Sequence, residues 1–421
     1  MKPTCHLSVT AVFLFFLFSV SAQTVDTSFL NASEAAFAEV ERICMNDNGR
    51  LWGSSLLCPL VIARRDDHSA VCNRDGLLEP SVPFQKVFCG NLGDTVSVAG
   101  TALKIKNTVC ALLPSEYALN RDLLPAFIHE MFHVFQRNNG WEYNYDNSHL
   151  DNPDARAFLS CEMRALLNAL AGDSIVRCRH LSEALFFRIQ RNRLYPEKAR
   201  DENLFEIHEG LADYTQYRLC LPSDDEMKTR IIRNLETTLE QEGYSRSYGY
   251  AVGAAYAFLN DVHPEWRLRI DTLSSLSMLT RRIYDVGRIV TDSAQIWEDY
   301  RVDSLLIVED SVYQTKLKLK EDVYQAIGEN RVLIFDYDGC HFGFNPNQVI
   351  GFGDGKNYYS LIEIRGDFGY VYTVYGCLLS DRIYVILPKK VKVGNRRTYP
   401  ENFNIQLNKG WRVKNGRVVK K

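Results

Sequence analysis

The feature that most constrains the fold of this chain is a pair of histidines inside an apolar run, His129-Glu130-Met131-Phe132-His133. Apolar residues continue on both sides with a helical period, which predicts a helix over roughly 122–138. Side chains four residues apart stand one turn apart on the same helix face. Buried polar groups need partners. The sequence therefore predicts a buried helix whose two imidazoles face a common centre.

The pattern HExxH is typical of a zinc site. The ring nitrogens of His129 and His133 can converge on one Zn²⁺, and Glu130 can reach the bound water without ligating the metal. Zinc lowers the pKa of such a water toward about 7, and Glu130 would act as the general base. The alternative is a pair of structural histidines beside an ion-pairing glutamate, which the apolar flanks disfavour.

The third metal ligand must come from elsewhere in the chain. The extended pattern HExxHxxGxxH, which defines the metzincin metallopeptidases, is excluded by Gln136 and Asn139. Glu209 is the best candidate, because Asp213 follows four residues later on the same helical face. Asp213 is predicted to accept the outer N–H of a ligand histidine. The small Gly210 and Ala212 should let this helix pack close to the HExxH helix.

Two other residues compete with Glu209 as the third ligand. Glu162 is closer to the histidines along the chain, although it could simply be a buried glutamate paired with Arg164 or Arg156. His208 is a weaker rival, because it points about 100° away from Glu209 on the same helix. Glu209 is favoured because it alone brings a second carboxylate one turn further on.

The order of these motifs resembles a known class of metallopeptidases. HExxH followed by ExxxD is similar to the gluzincin pattern of thermolysin-like and neprilysin-like enzymes. The segment Glu209–Tyr214 also resembles the EG(L/F)AxY run of aminopeptidase-type gluzincins, although their Gly-x-Met-Glu-Asn motif is absent. The wider layout resembles uncharacterised exported bacterial HExxH proteins. The resemblance implies zinc-dependent hydrolysis of a peptide or protein substrate.

The same resemblance suggests a donor for the developing oxyanion. In aminopeptidase-type gluzincins a catalytic tyrosine lies three residues before a glycine at a helix start, and Tyr250 and Gly253 match that spacing. Arg246 is a second possible donor. The alternative is that Tyr248, Tyr250 and Tyr256 are packing aromatics of the helix.

The hydrophobic period changes twice along the chain. Residues 51–113 carry short apolar runs broken by Gly and Pro, which is typical of strands joined by turns. The period is helical over 120–329, and β-rich runs return beyond residue 330. Helices are predicted at 33–46 with Ser33 as the cap, and near 122–138, 154–171, 180–194, 200–220, 225–242, 246–261 and 288–327.

These patterns predict an α+β protein. A mainly helical, zincin-like catalytic domain over 116–329 would share its unit with a β-rich N-terminal part, 23–115. A β-rich C-terminal domain would occupy 330–421. No fixed-period repeat is visible, which disfavours solenoids and propellers.

The first 22 residues read as a secretory signal peptide. Lys2 precedes the apolar run Ala11–Phe18, and small residues follow at Ser19–Ala22. The alternative is an uncleaved membrane anchor. No later segment reaches the ~20 apolar residues of a membrane span. The mature chain is therefore predicted to be exported, to the periplasm, the cell surface or the medium.

Charge and cysteine content bound the remaining possibilities. Forty-nine Lys+Arg against 52 Asp+Glu leave no basic excess to neutralise nucleic-acid phosphates. Residues 388–421 are locally basic and are expected to form a solvated face or tail. Ten cysteines follow the signal segment, so disulfides are permitted, most plausibly among the five between residues 44 and 110. The alternative is that several are buried free thiols.

The sequence thus predicts an exported zinc metallopeptidase with Glu130 as general base. The rival hypothesis is a non-catalytic binding protein of the cell envelope with a structural metal site. The two differ on Glu130, because a closed structural site has no use for a general base. Substrate identity and oligomeric state are left open.

Overall fold

The computed structural model describes residues 27–93, 96–119, 123–141, 143–241, 243–286, 292–344, 349–388 and 402–421. A helical centre stands between β-rich N- and C-terminal parts, which confirms the predicted α+β class. The predicted signal segment, 1–22, lies outside the described residues. No helix in the described ranges is both long and apolar enough to cross a membrane.

The N-terminal part is one helix and one mixed sheet. Helix α1 is followed by six strands in the spatial order β3-β4-β2-β1-β6-β5, with β1 and β6 parallel and the other neighbours antiparallel. The bounds are α1 Thr27–Asp47, β1 Leu60–Ala63, β2 Ser69–Cys72, β3 Glu79–Phe84, β4 Val87–Asn91, β5 Thr101–Ile105 and β6 Thr108–Pro114. Strand β5 is therefore an edge of this sheet.

Central strand β1 is buried along its whole length. Leu60 and Ile62 join the main core with α1 and the HExxH helix, whereas Val61 and Ala63 face a second, smaller core on the other side of the sheet. A strand covered on both faces is uniformly apolar rather than alternating. The sheet and the helical centre consequently share one core.

In the helical centre, the helix that carries HExxH, α2, packs against α6 and against strand β6 of the N-terminal sheet. The bounds are α2 Leu123–Asn138, α3 Pro153–Ala171, α4 Ser174–Leu194, α5 Ala199–Phe205, α6 Leu211–Cys220, α7 Asp224–Leu239, α8 Tyr248–Asn260, α9 Leu276–Ile283, α10 Ser293–Asp299 and α11 Val302–Gly328. The predicted helices are present in the described ranges, and α9 was not predicted. Its eight residues are too short to display a periodic face clearly.

A π-helical turn at Glu206–Gly210 joins α5 to α6. At this turn the backbone meets α8 directly: a Cβ on Gly210 would lie 2.5 Å from Cα of Gly253. A Cβ on Gly253 would lie 2.6 Å from the carbonyl oxygen of Glu206. The predicted close approach to the HExxH helix is made by α6, which packs against α2, whereas Gly210 itself does not make that contact. The glycine is required by the contact with α8.

The C-terminal part contains two sheets, ordered β16-β17-β7-β14-β13-β10-β9 and β15-β12-β11-β8. Their strands are β7 Val332–Phe335, β8 His341–Gly343, β9 Val349–Gly353, β10 Lys356–Tyr359, β11 Ile362–Gly366, β12 Gly369–Thr373, β13 Cys377–Leu379, β14 Ile383–Ile386, β15 Phe403–Leu407, β16 Trp411–Lys414 and β17 Arg417–Lys420. Phe335, Ile364 and Val371 belong to the core that they enclose.

The predicted helix cap is wrong. Helix α1 begins at Thr27, so Ser33 lies inside it, where its hydroxyl donates to the carbonyl oxygen of Phe29 at 2.8 Å.

The described part of the basic chain end forms a solvated face rather than a tail. Strand β15 pairs with β12 and β17 pairs with β7, and Phe403 and Val418 are buried. The basic residues of β16 and β17 are exposed.

The sequence left open whether the cysteines form disulfides or remain free thiols. All ten that follow the signal segment lie in described residues, and all are free. No disulfide is therefore formed among the five cysteines in the range 44–110, where one was expected. Burial raises the pKa of the Cys44 thiol to about 12 and that of Cys110 to about 11, so both stay protonated. They behave as small apolar core residues.

Candidate metal centre

The three predicted metal ligands are His129, His133 and Glu209, and together they are called the trio. Their side chains meet at one point between α2 and the π turn. Nε2 of His133 lies 3.0 Å from Nε2 of His129 and 3.2 Å from Oε2 of Glu209. The remaining pair, Nε2 of His129 and Oε2 of Glu209, is 3.4 Å apart. The main core buries the opposite face of α2, so both imidazoles face the π turn.

These distances fit a tetrahedral zinc ion. Zinc bonds to nitrogen and oxygen are about 2.0–2.1 Å long, so tetrahedral ligand atoms lie about 3.3 Å from one another. The three contacts of the trio span 3.0–3.4 Å. Two imidazole lone pairs held face to face at 3.0 Å also repel each other unless a cation lies between them. The donor set, two imidazoles and one carboxylate, is one that zinc favours.

Asp213 holds the first ligand in place. Its Oδ1 lies 3.0 Å from Nδ1 of His129, which leaves Nε2 of that ring free for a metal. Asp213 is fixed in turn by the side chains of Gln216 at 2.7 Å, Tyr217 at 3.0 Å and Asn234 at 3.3 Å. A carboxylate positioned in this way orients the imidazole and raises its basicity.

Gln136 does the same for the second ligand, and the sequence did not predict this role. Its Oε1 lies 2.7 Å from Nδ1 of His133. Its amide nitrogen donates to the carbonyl oxygens of Ile207 at 3.0 Å and His208 at 3.1 Å. Gln136 therefore ties α2 to the π turn beside Glu209. A polar residue three positions after the second histidine, on the same buried face, is the signal that could have identified it.

Charge is balanced locally within the trio. Burial alone would lower the pKa of His129, but hydrogen bonds to Asp213 and Glu209 outweigh it and raise the pKa to about 10. Burial also opposes ionisation of Glu209, yet the two imidazoles hold the pKa of this carboxyl well below its usual range. In the metal-free protein a proton therefore occupies the cluster at neutral pH, and a metal ion bound at this site would have to displace that proton.

Glu130 stands beside the trio in a cavity of about 170 Å³. Burial raises its pKa, and the two neighbouring imidazoles oppose only part of that effect. The backbone N–H of Ala102, on edge strand β5, donates to the carboxyl group, while its Oε2 is buried without a partner in the described structure. A Cβ on Gly100 would lie 3.3 Å from Oε1. Glu130 thus contributes to the cavity lining a carboxyl group with one oxygen that has no partner in the described structure.

Tyr250 lines the same cavity. Its ring is stacked on that of His129, with centroids 5.9 Å apart, and its hydroxyl lies against the Glu209 carboxylate. Burial and this carboxylate hold the pKa of Tyr250 well above its usual range, so the hydroxyl remains a donor. Arg246, the other predicted donor, is exposed and lies near Tyr359 of the C-terminal part. Of the two, only Tyr250 reaches the site.

Two tyrosines that follow α2, Tyr143 and Tyr145, pack against His208 at one side of the site. The ring of Tyr143 is stacked on His208 at 4.0 Å, and the hydroxyl of Tyr145 lies 2.9 Å from its Nδ1. Burial lowers the pKa of His208 to about 3, assisted by the neighbouring His133. His208 lies beside the trio, with its Nδ1 3.3 Å from Oε1 of Glu209, and serves as a neutral neighbour.

Glu162, the rival third ligand, lies elsewhere. Its carboxylate pairs with Arg188 and Arg191, each at 2.8 Å, and accepts from Tyr256 at 2.7 Å. The predicted alternative partners Arg164 and Arg156 are not those used.

The same buried ion pairs reach the π turn. Arg188 also contacts Glu206, the first residue of that turn, at 2.5 Å. Burial raises the pKa of Glu206 to about 7, against the attraction of Arg188. The cluster around Glu162 thus anchors the turn that presents Glu209, without contacting the metal position.

Replacing Asp213 with asparagine should weaken zinc binding by about 10–100-fold without abolishing it, because outer partners of ligand histidines typically contribute that much. A chelator-competition titration measures the change. Asp261→Asn is the matched control, since Asp261 accepts hydrogen bonds from Tyr214 and Trp266 outside the site. Wild-type zinc affinity in the Asp213 variant would make this residue a bystander.

Comparisons with protein-family models, with curated proteins and with solved structures find no match to this chain. The residues themselves define its class: an α+β protein in which His129, His133 and Glu209 form a group that could hold a metal ion.

Proposed function

We propose that this protein is a zinc-dependent peptidase. The observation that carries the proposal is the convergence of His129, His133 and Glu209 beside Glu130, which lines the same cavity and has one buried carboxyl oxygen without a partner in the described structure. A site with three protein ligands and adjoining space has the open position that a catalytic zinc needs. A purely structural zinc would require a fourth protein ligand.

His129, His133 and Glu209 would hold the zinc ion, which would supply a water of lowered pKa and polarise the scissile carbonyl. Glu130 accepts the proton of the attacking water on its free oxygen and then delivers it to the leaving amine. Burial raises the pKa of Glu130 and so brings it closer to neutral pH, which favours both the uptake and the delivery of a proton.

Tyr250 stabilises the negative charge that develops on the carbonyl oxygen. Its hydroxyl is protonated and is placed by ring stacking on His129, at the wall of the cavity. Donors fixed before the reaction stabilise the transition state without reorganising. Asp213 and Gln136 act through the imidazoles by holding both in the tautomer that presents Nε2.

The edge strand supports a peptide as the substrate. Gly100, Thr101 and Ala102 line the cavity, and β5 pairs only with β6 among the described strands. An open strand edge can pair with an extended peptide through main-chain hydrogen bonds. Such pairing would lay the peptide across the cavity, with its scissile bond beside Glu130. The N-terminal signal pattern, read from sequence, supports action outside the cytoplasm.

Elemental analysis followed by cleavage of a peptide library tests the proposal. We expect one zinc per chain and chelator-sensitive cleavage of internal or terminal peptide bonds. A zinc-loaded protein that cleaves no member of the library would favour the rival reading as a cell-envelope binding protein. Protein that purifies without stoichiometric zinc and takes up none on addition would exclude both forms of the metal hypothesis.

A further inference from the structure

The cavity beside the trio carries one permanent positive charge. Among its lining residues the acids are Glu130 and Glu209, and the only lysine or arginine is Arg137. Arg137 lies four residues after His133 on α2, hence one turn beyond it and about 6 Å further along the helix axis. A group bound to Arg137 is therefore one or two residues of extended chain from the metal position.

The guanidinium group of Arg137 has no ion pair or hydrogen bond to any residue that the structure describes. Its side chain is exposed, yet its charge acts on His208 inside the site. By contrast, Arg188, Arg191 and Arg218 are all engaged by carboxylates. An unpaired guanidinium at the wall of a reaction cavity is available to a ligand.

We infer that Arg137 binds a carboxylate of the substrate, so that preferred peptides carry a carboxylate within two residues of the scissile bond. The inference rests on the proposed function and names the substrate class. A planar guanidinium binds carboxylates through two parallel N–H···O bonds, and such charge-assisted pairs are stronger than neutral ones. The carboxylate could come from an Asp or Glu side chain or from the peptide C-terminus.

Binding to a non-hydrolysing protein separates this inference from catalysis. Zinc-loaded Glu130→Gln protein is titrated with fluorescein-labelled peptides, and fluorescence anisotropy reports the Kd. The peptides form matched sets: free acid against C-terminal amide, and Glu or Asp against Gln or Asn at each position near the cleaved bond. We expect one substitution to weaken binding by about 10-fold or more, and its identity reveals the source of the carboxylate.

When Arg137→Gln is added to this protein, the acidic peptide should bind only as tightly as its neutral counterpart, so the discrimination between them should disappear. Arg137→Lys should keep part of the discrimination, because the charge remains while the two-pronged geometry is lost. Arg193→Gln is the control, since Arg193 is exposed at the end of α4 and does not line the cavity. The inference is overturned if Arg137→Gln raises the Kd of acidic and neutral peptides equally. It is also overturned if replacing a carboxylate of the peptide changes the Kd at no position.

Failure of the proposed function gives a different result. If wild-type protein with bound zinc cleaves no peptide, the peptidase proposal fails, and this inference fails with it. If wild-type protein cleaves peptides with and without carboxylates at equal kcat/KM, only the role of Arg137 is rejected.

Discussion

Glutamine in place of Glu130 should lower kcat/KM for peptide hydrolysis by about 10²–10⁴-fold, the usual contribution of a general acid–base group. The substitution keeps the size of the side chain and removes the proton acceptor. Glu130 is not one of the three converging ligands, so zinc content and fold should be unchanged. Cleavage rates of one library-selected peptide, zinc analysis and circular dichroism measure the three quantities.

The control for this experiment is Glu226→Gln, at an exposed position in the first turn of α7. Both variants are purified by the same steps, so a contaminating protease would contribute equally to each. Full activity in the Glu130 variant, after such a contaminant is excluded, would contradict the mechanism. Loss of zinc together with activity would instead assign Glu130 to the metal.

Alanine in place of His133 should abolish stoichiometric zinc. One of three protein ligands is then missing, so the loss should exceed the ~10–100-fold that an outer partner contributes. Glu209→Gln should also release the metal. Glu206→Gln is its matched control, because Glu206 is buried in the same π turn but pairs with Arg188. Elemental analysis after dialysis against a weak chelator measures retention.

Two outcomes would change this assignment. Full zinc retention by His133→Ala would remove the basis of the metal site. Loss of zinc in Glu162→Gln, with retention in Glu209→Gln, would make Glu162 the third ligand. Unfolding must be monitored in the Glu162 variant, since Arg188 and Arg191 would lose a buried partner.

The elements that rely on local periodicity could be predicted from the sequence. Helices α2, α3 and α8 lie within two residues of their predicted bounds, because an apolar face repeats along each of them. The proximity of Asp213 to a ligand histidine also followed from two pairs of residues spaced four apart on helices, and the structure identifies that histidine as His129. The pair His129 and His133 defines one helix face, and the pair Glu209 and Asp213 defines another. A single metal ion could be bound by residues of both faces.

The features that the sequence did not predict depend on contacts between distant segments. The only local signal of Gln136 is its polar side chain on the buried face of α2, and that signal does not name its partners, because Ile207 and His208 are brought to it by folding. The partners of Glu162 were likewise misassigned to neighbouring arginines, whereas α4 supplies Arg188 and Arg191. Periodicity indicates which face of a helix is buried, but it does not indicate which helix covers that face.

The contact between Gly210 and Gly253 has a consequence for how this site works. Each glycine lies shortly after a residue of the site. Gly210 directly follows Glu209, and Gly253 lies one turn after Tyr250. Backbone touches backbone there, with no side chain between to change rotamer. The spacing of ligand and hydroxyl is therefore set when the chain folds, and the loss of conformational freedom occurs then. Under the proposed function, a substrate would therefore meet a preorganised site and would not need to arrange it.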